Sequence, residues 1–260
     1  MLVRNLVTGT TPSVLHRNGN PAEWKTVWDE VVTAFFAEGR EPCEPCPELT
    51  VLTWTNRPAK TLLERCLEQW GISCITLGQR LPEWRNDVKL YLNVEALERV
   101  TSDYVMALDA DDVLVVSAAR AILDAFRSFG CDILFNAEKH NWPRVPFLAA
   151  FEESIAESAY RYLNSGAWIG RTDACRRFYR DCLNEDNGDI VAIHTAEAVF
   201  RDDQGVIRKT FQRYYPSVRL DYHCRIFQSL TDVLPGVEVC IVRADGVSVV
   251  PSAGLVSLGL

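Results

Sequence analysis

The 260 residues fit one large α/β domain, and no break in composition marks a second. A formal net charge of −8 argues against a general phosphate-backbone binder, which carries a basic face, and so against nucleic acid as a partner. No apolar run approaches the ~20 residues that cross a bilayer, and the N-terminus lacks the segments of a signal peptide, so the expectation is a cytoplasmic protein with no membrane span.

In chain order, the apolar segment Pro12 to His16 reads as a strand that runs into the polar turn Arg17-Asn-Gly-Asn20. Asn20 stands as an N-cap, Pro21 fits the first helical position and Glu23 suits a capping box, which predicts a helix from about Pro21 to Glu38. Trp24, Val27, Trp28, Val31, Val32 and Phe35 give it one apolar face, and Gly39 stops it. The nine cysteines are odd in number and scattered, as reduced core residues are. Cys43 and Cys46 have ligand-like spacing, but no second pair nearby completes a zinc site.

From Leu49 the pattern alternates. A strand (Leu49 to Thr55), a helix (about Pro58 to Trp70), a strand (Ile72 to Leu77) and a helix carrying Val88, Tyr91, Leu92 and Leu97 lead to a strand over Tyr104 to Asp109. Residues 49–112 thus spell β-α-β-α-β, a Rossmann-type half sheet. A helix (Ala118 to Phe129), a strand (Asp132 to Ala137), an amphipathic helix (Asp173 to Leu183) and strands within Arg219 to Gln228 and Glu238 to Val242 follow.

The strand from Tyr104 is apolar, as a strand covered on both faces is, and it runs into Asp109, Asp111 and Asp112. The acids therefore belong at the carboxyl end of a central strand, where open α/β sheets bind ligands. Three crowded anions raise one another's pKa unless a cation lies among them. Hard oxygen ligands suit Mn²⁺ or Mg²⁺, with substrate phosphates completing the shell. The alternative is a solvated acidic turn, with Asp112 capping the next helix. Neither a Gly-x-Gly-x-x-Gly nor a phosphate-loop motif is present, so a bound diphosphate would be held by metal.

Several stretches together resemble one family, the glycosyltransferase domain of procollagen lysyl hydroxylases and their relatives. They are Ala107-Leu-Asp-Ala-Asp-Asp-Val-Leu114, Phe135-Asn-Ala-Glu138 with Trp142-Pro143, Leu163-Asn-Ser-Gly166 with Ile169-Gly170, Asp202-Asp-Gln204 and Leu220-Asp-Tyr-His-Cys-Arg-Ile-Phe-Gln228. The resemblance implies a single-domain GT-A-like fold, a Rossmann-type mixed sheet flanked by helices, that binds a UDP-sugar through Mn²⁺. Residues 49–250 would form its core, residues 1–48 an N-terminal strand and helix completing it, and residues 251–260 a tail.

It also implies roles. Asp109 and Asp112 match the family's metal-binding acids, while Asp111 reaches either the ribose or the metal. Trp84 matches an aromatic near the nucleotide, with core packing as its other reading, and Thr53 and Thr55 end the first strand where the uracil would lie. Lys89 falls where the family has a lysine after a glycine-rich loop, though the glycines are absent here. Asn164, Ser165 and Gly166 would line the donor sugar, Gly166 allowing close backbone approach. Asp202 and Asp203 match acids facing sugar and acceptor, to bind donor hydroxyls or act as base, against the alternative of a helix-end acidic pair. Asp221 and His223 fall to second-sphere or structural roles.

The implied activity is transfer of a hexose from UDP-galactose or UDP-glucose to a hydroxyl acceptor on a protein, a glycan or a small molecule. The rivals are a UDP-sugar-binding module without turnover and a metal-dependent nucleotidyltransferase. The chain departs from the family at its end, where the family's third metal ligand, a histidine, is absent from Val247 to Gly254. Thr8 to Gly19 resembles that missing segment, with Arg17 in place of a glycine. The expectation is a circularly permuted domain in which His16 completes the metal site.

Overall fold

The computed structural model describes residues 1–186, 188–193 and 202–250, so the expected tail at 251–260 lies outside the described residues. The chain opens with β1 (Leu2–Asn5), β2 (Val14–His16) and a short 3₁₀ turn, Ala22–Trp24, before α1 (Trp28–Ala37). The N-terminal helix is shorter than its sequence pattern predicts. Asn20 adopts a φ of 52°, and Pro21 is extended at ψ 136°, so the expected cap does not form. The predicted apolar face survives all the same: Trp24, Trp28, Val31 and Phe35 are buried, and the Trp24 indole donates to the Val233 carbonyl at 2.7 Å.

Next come β3 (Leu49–Trp54), α2 (Leu62–Gln69), β4 (Cys74–Leu77), α3 (Val88–Arg99) and β5 (Tyr104–Asp109). Helix α2 starts later than Pro58 because Thr61 and Glu64 form a reciprocal capping box. Helix α3 is rotated from the expected face. Tyr91 is exposed, whereas Leu90 and Leu97 pack into the apolar core, Asn93 accepts from the Trp54 indole at 2.9 Å, and Lys89 is buried where the helix borders a polar cleft.

After the acids stand β6 (Val113–Val115), α4 (Ala119–Arg127), β7 (Ile133–Glu138), α5 (Pro146–Ile155), β8 (Tyr162–Arg171), α6 (Thr172–Leu183) and α7 (Gly188–Ile193). The described residues close with α8 (Gln204–Tyr214), β9 (Val218–Leu220), β10 (Phe227–Ser229), β11 (Val239–Val242) and β12 (Ser248–Val250). All nine cysteines are free thiols, and five of them are buried.

The main sheet has six strands in the order β4-β3-β5-β8-β7-β9. Strands β4, β3 and β5 run parallel, β8 runs antiparallel to both β5 and β7, and β9 is parallel to β7. This is a mixed Rossmann-type sheet flanked by helices, GT-A-like and built as one domain. Val105 to Leu108 of β5 are fully buried, and each such side chain contributes about 1.5–3 kcal/mol on leaving water where it is large and apolar. Two three-stranded sheets flank the main one, β1-β11-β12 and β10-β2-β6. The second places β2, from the start of the chain, between the strand after the acids and a strand near its end.

Candidate metal and donor site

Strand β5 delivers Asp109 to the carboxyl edge of the sheet, and the following turn presents Asp111 and Asp112 before β6 begins. Strand β2 pairs antiparallel with β6, setting His16 opposite Val113, and the Arg17 N–H donates to the Asp112 carbonyl at 2.9 Å. These constraints place His16 Nε2 3.4 Å from Asp109 Oδ2 and 3.5 Å from Asp112 Oδ1. Three potential ligand atoms thus lie within 4.8 Å of one another. Nε2 is buried without a hydrogen-bond partner, while Nδ1 lies 3.3 Å from the Asn136 amide nitrogen.

An orphaned imidazole nitrogen facing two carboxylates is a mixed nitrogen and oxygen donor set that fits a divalent metal ion. Gly166 shapes the same cradle: a Cβ there would meet Asp109 Oδ2 at 2.2 Å and His16 Cε1 at 2.5 Å. Burial opposes a charge on His16, yet the neighbouring Asp112 and Asp109 raise its pKa to about 10. The acidic cluster holds a built-in cation as well. Lys89, buried on α3, places Nζ 2.5 Å from Asp109 Oδ1 and 5.1 Å from the centre of the Trp54 ring. Although burial would raise the Asp109 pKa, Lys89 and His16 hold it well below the usual carboxylate range. The mutual repulsion expected from the sequence is thus already offset at this acid. Asp111, more exposed, is pushed upward by partial burial against the pull of Arg57, with Asp112 and Asp109 adding to the rise.

The acids stand between two compartments. The larger, about 400 Å³, includes His16, Lys89, Glu138, Asn164, Asp202 and Asp203 in its lining. The smaller, about 350 Å³, includes Arg17, Thr55, Arg57, Trp84 and Asp111. Lys89, Asp109 and Asp112 border both. Thr55, Trp84 and Asp111 are therefore brought together as expected. Thr53 is not: it is fully buried and donates to the Leu108 carbonyl at 2.8 Å, tying β3 to β5.

In the larger compartment, Asn164 Oδ1 accepts from the Gly166 N–H at 3.0 Å, and the Ser165 N–H donates to Gln204 Oε1 at 3.0 Å. Asp202 and Asp203 do sit at a helix end, since Asp202 Oδ1 accepts from the Gln204 N–H at 2.9 Å at the start of α8. They also line the compartment, with Asp202 Oδ2 accepting from the Trp142 indole at 2.5 Å. Asp203 is 2% exposed and its Oδ1 has no hydrogen-bond partner. Burial, helped by Asp202 and Asp109 and opposed by Lys89, raises its carboxyl to about 8.

Glu138 has no assigned role in the sequence reading, although it closes the Phe135-Asn-Ala-Glu138 stretch. Its carboxylate accepts from Asn18 at 2.6 Å, Gln204 at 3.0 Å and Asn164 at 3.2 Å, so it ties β2's turn, α8 and β8 to one wall. Burial raises its pKa to about 7 against those donors. A strand that ends in a buried acid just before a polar loop is the signal that could have found it. Behind this wall, Arg208 pairs with Glu152 and donates to the Pro143 carbonyl at 2.6 Å and to Asn141 Oδ1 at 3.0 Å, fixing the Trp142 segment. Asp221, by contrast, is structural: it accepts from the N–H groups of Arg225, Ile226 and Phe227. His223 lies beside Glu157, 3.1 Å away, and outside both compartments.

Comparison with known proteins agrees with this geometry. The family model described as the PLOD GT domain matches residues 49–250. The chain is 30% identical over 196 residues to a procollagen-lysine,2-oxoglutarate 5-dioxygenase of Drosophila melanogaster, covering 70% of this chain and 26% of that protein. It is 27% identical over 157 residues to the multifunctional procollagen lysine hydroxylase and glycosyltransferase LH3 of Rattus norvegicus, covering 60% and 19%. A Bos taurus procollagen-lysine,2-oxoglutarate 5-dioxygenase 1 is 26% identical over 213 residues, covering 76% and 27%. The chain thus spans about a quarter or less of the length of these relatives. With a glycosyltransferase-domain match across most of its length and acids gathered at the sheet edge, the chain belongs to the PLOD GT-domain family, a family of glycosyltransferase domains.

Proposed function

We propose that the protein is a metal-dependent hexosyltransferase that moves galactose or glucose from a UDP-sugar to a hydroxyl acceptor. The observation that carries this reading is the convergence of His16, Asp109 and Asp112 on one point between two compartments. A divalent metal held by these side chains would offset the negative charge that develops on the UDP leaving group. Thr55 and Trp84 line the compartment assigned to the uridine, with Asp111 beside them for the ribose. Asn164, Ser165 and Gly166 line the other, where the sugar would lie, and Lys89 adds a fixed positive charge on the shared wall.

Asp203 is the residue we assign as base toward the acceptor hydroxyl, because a carboxyl raised to about 8 takes up a proton more readily than an ordinary aspartate. Asp202, held by Trp142 and the start of α8, orients donor or acceptor hydroxyls. Supplying the histidine from β2, outside the matched residues 49–250, supports the circularly permuted arrangement. Between His16 and the start of β3 the chain runs through α1 and residues 38–48.

The test is a panel of UDP-sugars with Mn²⁺, scored by UDP release and by thermal shift. Release that depends on both metal and sugar supports the proposal. Stabilisation without release on any acceptor would identify a binding module, and a response to nucleoside triphosphates alone a nucleotidyltransferase.

A further inference from the structure

Three cations line the smaller compartment, and they differ in their partners. Lys89 faces Asp109, and Arg57 pairs with Asp111 at 2.9 Å. Arg17 has no carboxylate partner among the described residues, and its Nε is buried without a hydrogen bond. Leaving a guanidinium nitrogen buried and unpaired is costly, so its place at a polar cleft points to an anionic ligand.

The side chain is held in place from two directions. Its backbone N–H is fixed to the Asp112 carbonyl, directly after the metal-facing His16. Its guanidinium carbon lies 5.2 Å from the centre of the Trp28 ring, which is buried at the head of α1. It opens on the compartment with Trp84 and Thr55, whereas Asp202 and Asp203 line the other. A planar, preorganised cation of this kind is suited to phosphate oxygens.

We propose that Arg17 binds the diphosphate of a nucleoside diphosphate donor, so that this chain retains diphosphate affinity in addition to whatever the metal ion supplies. The inference rests on the nucleotide-sugar reading above. It assigns to Arg17, a residue outside the family match, the preference for diphosphate over monophosphate and free nucleoside.

The experiment is calorimetric titration of the full chain with UDP, UMP and uridine, each with Mn²⁺ and with chelator, for wild type, Arg17→Ala and Arg17→Gln. Wild type should still prefer UDP to uridine in chelator. Both variants should lose about tenfold or more in UDP affinity, as expected for a lost charge-assisted contact, with uridine affinity unchanged. Arg17→Gln retains part of the stem over Trp28, so it separates binding from a packing defect seen in Arg17→Ala as a lower Tm. Unchanged UDP affinity in Arg17→Gln, or equal losses for UDP and uridine, overturns the assignment while leaving the nucleotide reading standing. Failure of wild type to bind any of the three ligands with or without metal sinks both.

Discussion

Gly166 is pressed against the Asp109 carboxylate so closely that a Cβ on it would lie 2.2 Å from Oδ2. Even the smallest side chain must push aside Asp109, His16 or strand β8. Gly166→Ala should therefore lower Mn²⁺ affinity by about tenfold or more and cost about 1–3 kcal/mol in stability. Mn²⁺ titration and chemical denaturation check both, and a variant with native metal affinity would show that the ligands do not need this geometry.

Asp109 and Asp112 should respond differently to neutralisation. Removing one of several crowded anions would relieve repulsion if no cation were present, but Lys89 is buried against Asp109. Asp109→Asn removes the carboxylate that Lys89 hydrogen-bonds, leaving it only the less direct pull of Asp203 and Asp202, and should destabilise the metal-free protein by about 3 kcal/mol or more. Asp112→Asn should cost much less, while both abolish metal-dependent turnover. Equal Tm values for the two variants without metal would deny Lys89 this role.

Loss of the imidazole should act on the metal and spare the fold. His16→Ala should weaken Mn²⁺ binding by about tenfold or more, since changing even residues that merely support metal ligands costs that much. Isothermal titration with Mn²⁺ gives the answer. Unchanged affinity would leave the site with only its aspartates and remove the support that His16 lends to a permuted domain.

A pH dependence follows from Asp203. Its folded pKa is raised from an ordinary 3.8 to about 8, so the folded state favours the protonated form. The associated stability is present in full below the unfolded pKa and is lost as pH rises through about 8. The slope this one group adds is limited to about 1.4 kcal/mol per pH unit. Asp203→Asn should flatten the fall in stability between acid and alkaline pH, and wild-type turnover should climb toward an apparent pKa near 8 as the base ionises. Turnover with no such limb, or one that persists in Asp203→Asn, would place the base elsewhere.

The buried pair of Arg208 and Glu152 supports the cleft from behind. Arg208→Met leaves Glu152 unpaired and frees Asn141 and Pro143, so a loss of about 3 kcal/mol or more is expected. Denaturant unfolding measures it, and an undiminished midpoint would show that the wall holds without the pair.

Strand β5 was legible because a strand buried on both faces reads as an uninterrupted apolar run, and the carboxylates that end it have no place in a core. His16 was legible from a local string of residues, whereas its neighbours Asn136 and Gly166 come from β7 and β8. Glu138 escaped assignment because its three donors lie on separate elements: Asn18 stands 120 residues away and Gln204 66 residues away. Lys89 and Tyr91 show the limit of helical periodicity. A lysine on a helix reads as solvated and a tyrosine as core, but the cleft inverts that rule by giving the buried lysine the Asp109 carboxylate as its partner. Thr53 donates to the neighbouring Leu108 carbonyl, and a place at the end of the first strand does not tell whether a polar side chain faces a ligand or the backbone beside it.

The position of β2 also constrains when the site can come into being. Its residues are among the first in the chain, yet β2 pairs with β10, where Val14 stands beside Phe227, and β1 pairs with β11, where Leu2 stands beside Val242. Contacts this distant in sequence close late and slow folding. During synthesis the aspartates and β6 can emerge long before β10 exists, so until then β2 has β6 alone to hold His16 beside them. A ribosome-bound chain truncated before Phe227 would carry all three acids but lack the parallel partner of the histidine strand, so strong metal capture should coincide with completion of the fold.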